Sequence, residues 1–292
     1  MFTGSMTALI TPMDKEGTVD ETAFQEFVAW QIEEGSEGVI PTGTTGESPT
    51  LSHAEHCRVV ELCIEVAKGK VPVIAGTGSN STREAIWLTT HAQEAGADAA
   101  LVVTPYYNKP TQEGLYQHYK AIAEAVDIPI VIYNIPGRSV IDMSVDTMAR
   151  LARDFDNIVG VKDATNDLTR PLKTRLALGP EFSQLSGEDA TIAAYLAQGG
   201  HGCISVSANI APKLCARLHN AWRQNDMETF GEVRDLLMPI HDAMFCECSP
   251  GPVKYAAELL GKATSRARLP IVEIADESKR KVEAALKHAQ LI

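Results

Sequence analysis

Short apolar runs, bounded by glycine, proline or polar residues, recur along the chain and predict eight strands. These runs are residues 7–10, 38–40, 71–75, 99–103, 128–133, 158–161, 182–185 and 202–206. Between them, apolar residues follow helical spacing, for example at Phe24, Phe27, Val28 and Ile32. Strands that alternate with helices imply parallel strands joined by helical crossovers.

The number of strand–helix units sets the fold class. Eight units within the first 225 residues match a closed (β/α)8 TIM barrel in size better than an open doubly wound sheet, which normally has fewer strands. From about residue 211 the pattern predicts helices only, at 211–224, 227–245, 253–260 and 278–289. We therefore expect a (β/α)8 barrel catalytic domain over residues 1–225 and a C-terminal helical region over residues 226–292.

Composition narrows the function classes. Of the 292 residues, 45% are hydrophobic, which is ample for a sizeable core, and the net charge of −12 argues against nucleic acid or a membrane surface as partner. Six cysteines show no paired framework, no run approaches the length of a transmembrane helix, and residues 1–10 lack the pattern of a secretory signal. We expect a cytoplasmic protein.

The ends of the predicted strands carry the candidate chemistry, because reacting groups of a (β/α)8 barrel come from there and from the loops that follow. Lys162 ends the apolar run 158–161, and an amine in a desolvated pocket can attack a ketone. Phenols and hydroxyls nearby would carry protons, and an arginine would hold a carboxylate. The strand-end residues are Thr44, Thr45, Tyr106, Tyr107, Tyr133, Arg138, Lys162, Gly187 and Ile204. This set suits imine chemistry.

Each of these residues also has a plainer explanation. Lysines commonly end buried strands to return to solvent, and Arg138 could be an exposed loop arginine. Tyr106 and Tyr107 could be aromatic packing, and the two threonines could satisfy turn amides. No pair of strand-end carboxylates suits glycoside hydrolysis, and no three ligands have metal spacing, so we expect no metal. Imine chemistry at a lysine needs no organic cofactor, so we expect none.

Five segments together resemble the pyruvate-dependent class I aldolases of the N-acetylneuraminate lyase superfamily. Their order and spacing match over nearly the whole chain. They are Gly43-Thr44-Thr45-Gly46-Glu47, Thr104-Pro105-Tyr106-Tyr107-Asn108-Lys109-Pro110, Tyr133-Asn134-Ile135-Pro136-Gly137-Arg138, Gly160-Val161-Lys162-Asp163-Ala164-Thr165 and Gly199-Gly200-His201-Gly202-Cys203-Ile204-Ser205.

The resemblance implies a role for each catalytic residue. Lys162 would form the imine with pyruvate, and Tyr133 would shuttle protons to and from it. Thr44 would link Tyr133 to Tyr107. In this family the second tyrosine comes from a neighbouring subunit, so the resemblance implies at least a dimer and, in the usual assembly, a homotetramer built as a dimer of dimers.

The resemblance also implies the substrate contacts. The Thr45 hydroxyl and nearby backbone amides would bind the pyruvate carboxylate, and the backbone of Gly187 and Ile204 would shape the pocket. Arg138 would hold the carboxylate of aspartate semialdehyde. The implied reaction condenses pyruvate with aspartate semialdehyde in the diaminopimelate route to lysine. Two alternatives stay open, namely a lyase that acts on a sugar acid and a lysine-binding regulatory protein on the same fold.

A second site is predicted around a helix start. The segment Ser52-His53-Ala54-Glu55 has a capping-box pattern and places His53 and His56 on one face of a first helical turn. Two histidines without further ligands do not make a zinc site. In lysine-inhibited relatives, the resemblance implies that lysine binds at a subunit interface through residues matching Ser48, His53, His56, Asn80, Glu84 and Tyr106.

The lysine site has one departure and one alternative. Position 49 is proline where the family pattern often has alanine, which keeps the carbonyl but removes the N–H and fixes φ. Asn80 and Glu84 are also explained as a polar cap and a first-turn acid at the start of a helix.

Overall fold

The computed structural model describes residues 1–292 and contains eight β-strands and twelve α-helices. The strands are β1 Gly4–Ala8, β2 Gly38–Ile40, β3 Ile74–Gly76, β4 Ala99–Val103, β5 Ile130–Asn134, β6 Ile158–Asp163, β7 Ser183–Ser186 and β8 Gly202–Ser205. The helices are α1 Glu21–Glu33, α2 His53–Ala67, α3 Thr82–Ala95, α4 Gln112–Ala123, α5 Pro136–Ser139, α6 Val145–Asp154, α7 Arg170–Leu178, α8 Ile192–Ala197, α9 Pro212–Arg223, α10 Met227–Met244, α11 Gly251–Leu259 and α12 Asp276–His288.

All eight strands belong to one sheet with the order β2-β1-β8-β7-β6-β5-β4-β3. The paired strands run parallel, and Val39 forms a parallel bridge with Val73. Strands that follow one another in sequence, with helices between them, define a (β/α)8 barrel. The predicted fold class is confirmed, including the C-terminal helices.

Six of the eight strands differ from the predicted bounds, and β1 and β3 differ most, each for a backbone reason. The first strand is β1 Gly4–Ala8, whereas the apolar run extends to Ile10. Leu9 and Ile10 stay buried, but the Ile10 N–H donates to the Asn209 side chain and not to a strand. The third strand begins only at Ile74, since Pro72 has no N–H to give to a ladder.

The chain forms two compact units, and the first comprises residues 1–3 and 74–204. Its core lies where β4, β5 and β6 meet α4 and α6, and it is built from Leu115, Tyr119, Ile132, Met148 and Leu151, among others. Tyr119 is fully buried, and its hydroxyl donates to the Val102 carbonyl oxygen at 2.7 Å. This rigid packing fixes the strands whose ends carry the candidate chemistry.

The second unit comprises residues 4–73 and 205–292. Its helices α1 and α2 pack together, and Phe24, Phe27 and Val28 of the predicted α1 stripe are buried. Within the C-terminal helices, α10 packs on α9 and α12, and Trp222 contacts Phe230 with ring centroids 5.3 Å apart. The four predicted C-terminal helices are confirmed to within two residues at each end.

The predicted division of the chain at residue 225 separates the barrel from the helices by sequence. The two compact units are defined by contacts within the structure and have other boundaries. The division at residue 225 therefore stays a prediction. No helix of the structure is both long enough and apolar enough to cross a membrane.

Candidate active site

Lys162 and Tyr133 lie side by side at the carboxyl ends of adjacent strands. Tyr133 on β5 is in register with Lys162 on β6, and both residues are 6% exposed. The Lys162 Nζ atom lies 4.3 Å from the centroid of the Tyr133 ring. A buried amine next to a phenol combines a nucleophile with a proton carrier, which is the arrangement that imine formation needs.

Gly187 leaves the space that the Lys162 side chain occupies. It follows β7, and its N–H donates to the Asp163 carbonyl oxygen at 2.7 Å. A Cβ atom at this position would lie 2.7 Å from the Ala164 Cβ and 3.2 Å from the Lys162 Cε. Any larger residue would therefore press on the lysine, which supports the predicted role of Gly187 in shaping the pocket.

The end of β6 is anchored by a buried ion pair. The Arg170 Nε donates to the Asp163 Oδ2 at 2.8 Å, with side-chain exposures of 9% and 5%. The other Asp163 oxygen accepts from the Thr165 N–H and hydroxyl, and Arg170 also donates to the Met143 carbonyl oxygen. Asp163 directly follows Lys162, so this network fixes the backbone that carries the amine.

Arg138 lies on α5, a four-residue helix that begins just after β5, and it is exposed. The half-buried Glu188, next to Gly187, was not singled out from the sequence. Burial and then the neighbouring Asp189 raise the pKa of Glu188, while the cations Lys162 and Arg138 oppose the rise. A polar residue after a strand-end glycine was the available sequence signal for Glu188.

Tyr106 and Tyr107 lie in the loop after β4. Tyr107 is 88% exposed and has a φ of 71°, and Tyr106 is 40% exposed. The Asn80 side chain donates to the Tyr106 carbonyl oxygen, which ties this loop to the start of α3. Ile204 is fully buried on β8. The Tyr107 hydroxyl forms no hydrogen bond within its own chain.

Thr44 and Thr45 lie in the turn after β2, in the second compact unit. Thr45 is buried and Thr44 is half-buried. The Glu47 N–H donates to the Thr44 carbonyl oxygen at 3.1 Å, and the Ser48 N–H donates to the Gly43 carbonyl oxygen at 3.3 Å. The turn is therefore closed by its own backbone, and the threonine hydroxyls are not needed to satisfy these amides.

The six residues of the predicted lysine site are divided between the compact units. In the second unit, Ser48 begins a 3-10 helix and His53 and His56 lie in the first turn of α2. The predicted capping box is confirmed, because the Ser52 hydroxyl accepts from the Glu55 N–H and the Glu55 carboxylate accepts from the Ser52 N–H.

In the first unit, Asn80 precedes α3 and Glu84 lies in its first turn. The helix cap is Ser81, so the interpretation of Asn80 as the cap is wrong, whereas Glu84 is a first-turn acid as expected. The Ser79 hydroxyl donates to the Glu84 carboxylate. Side chains of His, Cys, Asp and Glu form no group of three that could hold a metal ion.

A buried amine beside a phenol at barrel strand ends defines a class of protein, a (β/α)8-barrel enzyme equipped for imine chemistry. Comparison with known proteins agrees. The model of the dihydrodipicolinate synthetase family matches residues 1–289. The chain is 67% identical over 292 residues to a 4-hydroxy-tetrahydrodipicolinate synthase of Rhodospirillum centenum, and the match covers 100% of both chains.

Solved structures show the same fold. The dihydrodipicolinate synthase of Acinetobacter baumannii complexed with pyruvate has a TM-score of 0.97 and 46% identity, with 100% of each chain covered. The enzyme of Cyanidioschyzon merolae with lysine bound has a TM-score of 0.97 and 36% identity, covering 100% of this chain and 99% of that one. The chain belongs to the dihydrodipicolinate synthetase family.

Proposed function

We propose that the chain condenses pyruvate with L-aspartate 4-semialdehyde, the reaction of 4-hydroxy-tetrahydrodipicolinate synthases in the diaminopimelate route to lysine. Relatives that are 57–67% identical over nearly the whole chain carry that name, and the Acinetobacter baumannii structure holds pyruvate. The observation that carries the proposal is the buried Lys162 Nζ above the Tyr133 ring.

The chemistry begins at Lys162. Its neutral amine adds to the ketone carbon of pyruvate, and loss of water gives an imine. Removal of a proton from the pyruvate methyl group then gives an enamine, which forms the new carbon–carbon bond with the aldehyde. Tyr133 lies against the amine and carries these protons, with Thr44 and the Tyr107 of a neighbouring subunit as further carriers.

Different residues hold the two substrates. The Thr45 hydroxyl and the amides of its turn bind the pyruvate carboxylate, and Gly187 and Ile204 leave room for the imine. Arg138 binds the carboxylate of aspartate semialdehyde, because a guanidinium fork matches a carboxylate. The reaction itself requires no metal or organic cofactor.

Replacing Arg138 by alanine tests the second-substrate assignment. We expect kcat/KM for aspartate semialdehyde to fall about 100-fold, since hydrogen bonds to a charged group contribute about 3 kcal/mol at most. Pyruvate imine formation, trapped by borohydride and read by intact mass, should be unchanged. The measurement is pyruvate consumption with aspartate semialdehyde or with N-acetylmannosamine as acceptor.

The control is Arg153→Ala, which removes an exposed arginine of α6 and should leave both readouts unchanged. Equal use of aspartate semialdehyde by wild type and Arg138→Ala would contradict the assignment. Wild-type turnover with N-acetylmannosamine alone would favour a sugar-acid lyase. Turnover with neither acceptor and no imine would favour a regulatory protein.

We also propose that lysine inhibits this enzyme, as an extension of the lysine-bound relative. The half-buried Glu84 would pair with an ammonium group, and Asn80 and Tyr106, which are joined by a hydrogen bond, would hold the carboxylate end. Glu84→Ala should raise the lysine concentration for half inhibition at least about tenfold, because a charge-assisted hydrogen bond is lost.

Lysine titration of initial rates is the measurement, and Glu94→Ala, at an exposed position of the same helix α3, is the matched control. A wild-type rate that does not respond to lysine would remove the proposal. Equal inhibition of wild type and Glu84→Ala would leave inhibition standing but contradict the role of Glu84.

The proposal also covers the oligomeric state of the protein and its cellular compartment. The 88% exposure of Tyr107 suits a side chain that completes the relay of a neighbouring subunit, which supports a homotetramer built as a dimer of dimers. All six cysteines are free thiols, which supports a cytoplasmic location.

A further inference from the structure

Glu47 ends the segment that carries Thr44 and Thr45, and the proposed reaction gives it no role. Its side chain is charged yet only 3% exposed. Its backbone has a φ of 58°, in the left-handed region that glycine favours and that costs an L-residue energy. A buried carboxylate in a strained backbone conformation must be held by its surroundings.

The backbone of Glu47 shapes the threonine turn directly. Its N–H donates to the Thr44 carbonyl oxygen, as described above, and the left-handed conformation turns the chain into the 3-10 helix Ser48–Thr50. The preceding Gly46 is packed closely, with its carbonyl oxygen accepting from the Thr11 hydroxyl at 2.7 Å. A Cβ atom at Gly46 would lie 3.1 Å from the Leu9 carbonyl oxygen. The turn is thus supported by the contacts of Gly46 with Thr11 and Leu9, and Glu47 closes its end.

The carboxylate of Glu47 is held at both oxygens by the C-terminal part of the chain. The Nζ of Lys254, on α11, donates to Oε1, and the backbone N–H of Arg268 donates to Oε2 at 2.9 Å. Lys254 is fully buried. Burial lowers the pKa of Lys254, and the adjacent Glu47 charge opposes that shift.

Arg268 is itself fixed in place. Its guanidinium donates to both oxygens of Glu55 and to the carbonyl oxygens of Gly17 and Thr50. The Arg268 guanidinium holds the pKa of Glu55 at about 2, so Glu55 stays charged at neutral pH. The N–H that reaches Glu47 is therefore presented by an anchored residue.

A buried ion pair is a poor way to gain stability, because desolvation offsets the attraction of the charges. It does define one geometry, since each charge accepts few positions of its partner. Here the geometry that is defined is the left-handed turn beside Thr44 and Thr45.

We infer that Glu47, clamped between Lys254 and the backbone of Arg268, is a positioning residue that holds the Thr44–Thr45 turn in the form that binds the pyruvate carboxylate. The inference rests on the proposed function, which assigns pyruvate to this turn. Glu47 and Lys254 act only through the turn.

The test compares Glu47→Gln, Lys254→Met and the double variant with wild type. Each single variant leaves one buried charge unpaired and should lower the unfolding temperature, whereas the double variant restores charge balance and should recover most of it. The pyruvate concentration for half-maximal borohydride trapping, and the KM for pyruvate, should be raised at least tenfold in all three. The KM for aspartate semialdehyde should stay within twofold of wild type.

Lys213→Met, at an exposed position of α9, is the matched control and should change none of these values. If the double variant recovers both stability and wild-type half-saturation by pyruvate, the pair only balances charge and the inference is wrong. Single variants with unchanged half-saturation also overturn it. Wild-type protein that traps no pyruvate overturns the proposed function first, which distinguishes the two failures.

Discussion

Lys162→Met is expected to abolish the pyruvate adduct and to lower kcat by on the order of 10⁴-fold or more, because no other amine lies beside Tyr133. Methionine preserves the length and volume of a side chain that is 6% exposed, so the fold should persist. Borohydride reduction with pyruvate, followed by intact mass, gives the first readout, and the coupled turnover assay gives the second.

The matched control is Lys173→Met, which removes an exposed lysine from α7 and should leave both readouts at wild-type values. A full pyruvate adduct on Lys162→Met would show that another lysine forms the imine.

Tyr133→Phe keeps the ring under the amine but removes the hydroxyl, so turnover should fall by about 10²- to 10³-fold as a proton carrier is lost.

The strands and helices were predictable because their side chains face a core. The residues at which they begin and end were harder to predict. The apolar runs located all eight strands, and the helical stripe of α1 located its buried face. A strand ends where its backbone stops pairing, however. Leu9 and Ile10 are as apolar as a strand interior, and only the fold shows that the Ile10 N–H turns to Asn209.

Residues of the candidate site were predictable where a reactive side chain lies at the end of a strand. Tyr133 and Lys162 each end an apolar run, and the register of β5 and β6 then makes them neighbours. The Glu47–Lys254 pair was missed, because its two residues lie 207 positions apart and no sequence pattern joins them. Lys254 by itself did carry a signal, since it is a single lysine within the apolar stretch 253–257 of α11. A cation there has to find a partner in the core.

Arg170 carried a similar signal. It is the first residue of α7, where the helix dipole disfavours a cation, and α7 has no side-chain cap. A basic residue in an unfavourable position indicates a specific acidic partner. The nearer of its two acidic partners is Asp163, since the Asp142 carboxylate lies 3.4 Å from the Arg170 Nη1 atom. The Nε–Oδ2 distance of 2.8 Å and the burial of both side chains make the Arg170–Asp163 pair the main anchor of the backbone next to Lys162.

Arg170→Met should therefore destabilise the protein by about 3–5 kcal/mol, because it leaves the Asp163 carboxylate buried without its cation. Urea unfolding followed by circular dichroism measures the change. Arg217→Met provides the control, since its carboxylate partner Glu232 lies 3.8 Å away and both side chains are more than half exposed. Such a surface pair contributes at most about 1 kcal/mol.

The double variant Arg170→Met/Asp163→Asn separates an unpaired charge from lost packing. Removing both charges should recover much of the lost stability, because an amide at position 163 can still accept from the Thr165 N–H. The double variant should form the pyruvate imine as wild type does, since the amine of Lys162 is untouched. An Arg170→Met protein within 1 kcal/mol of wild type would show that the end of β6 is held by its strand neighbours alone.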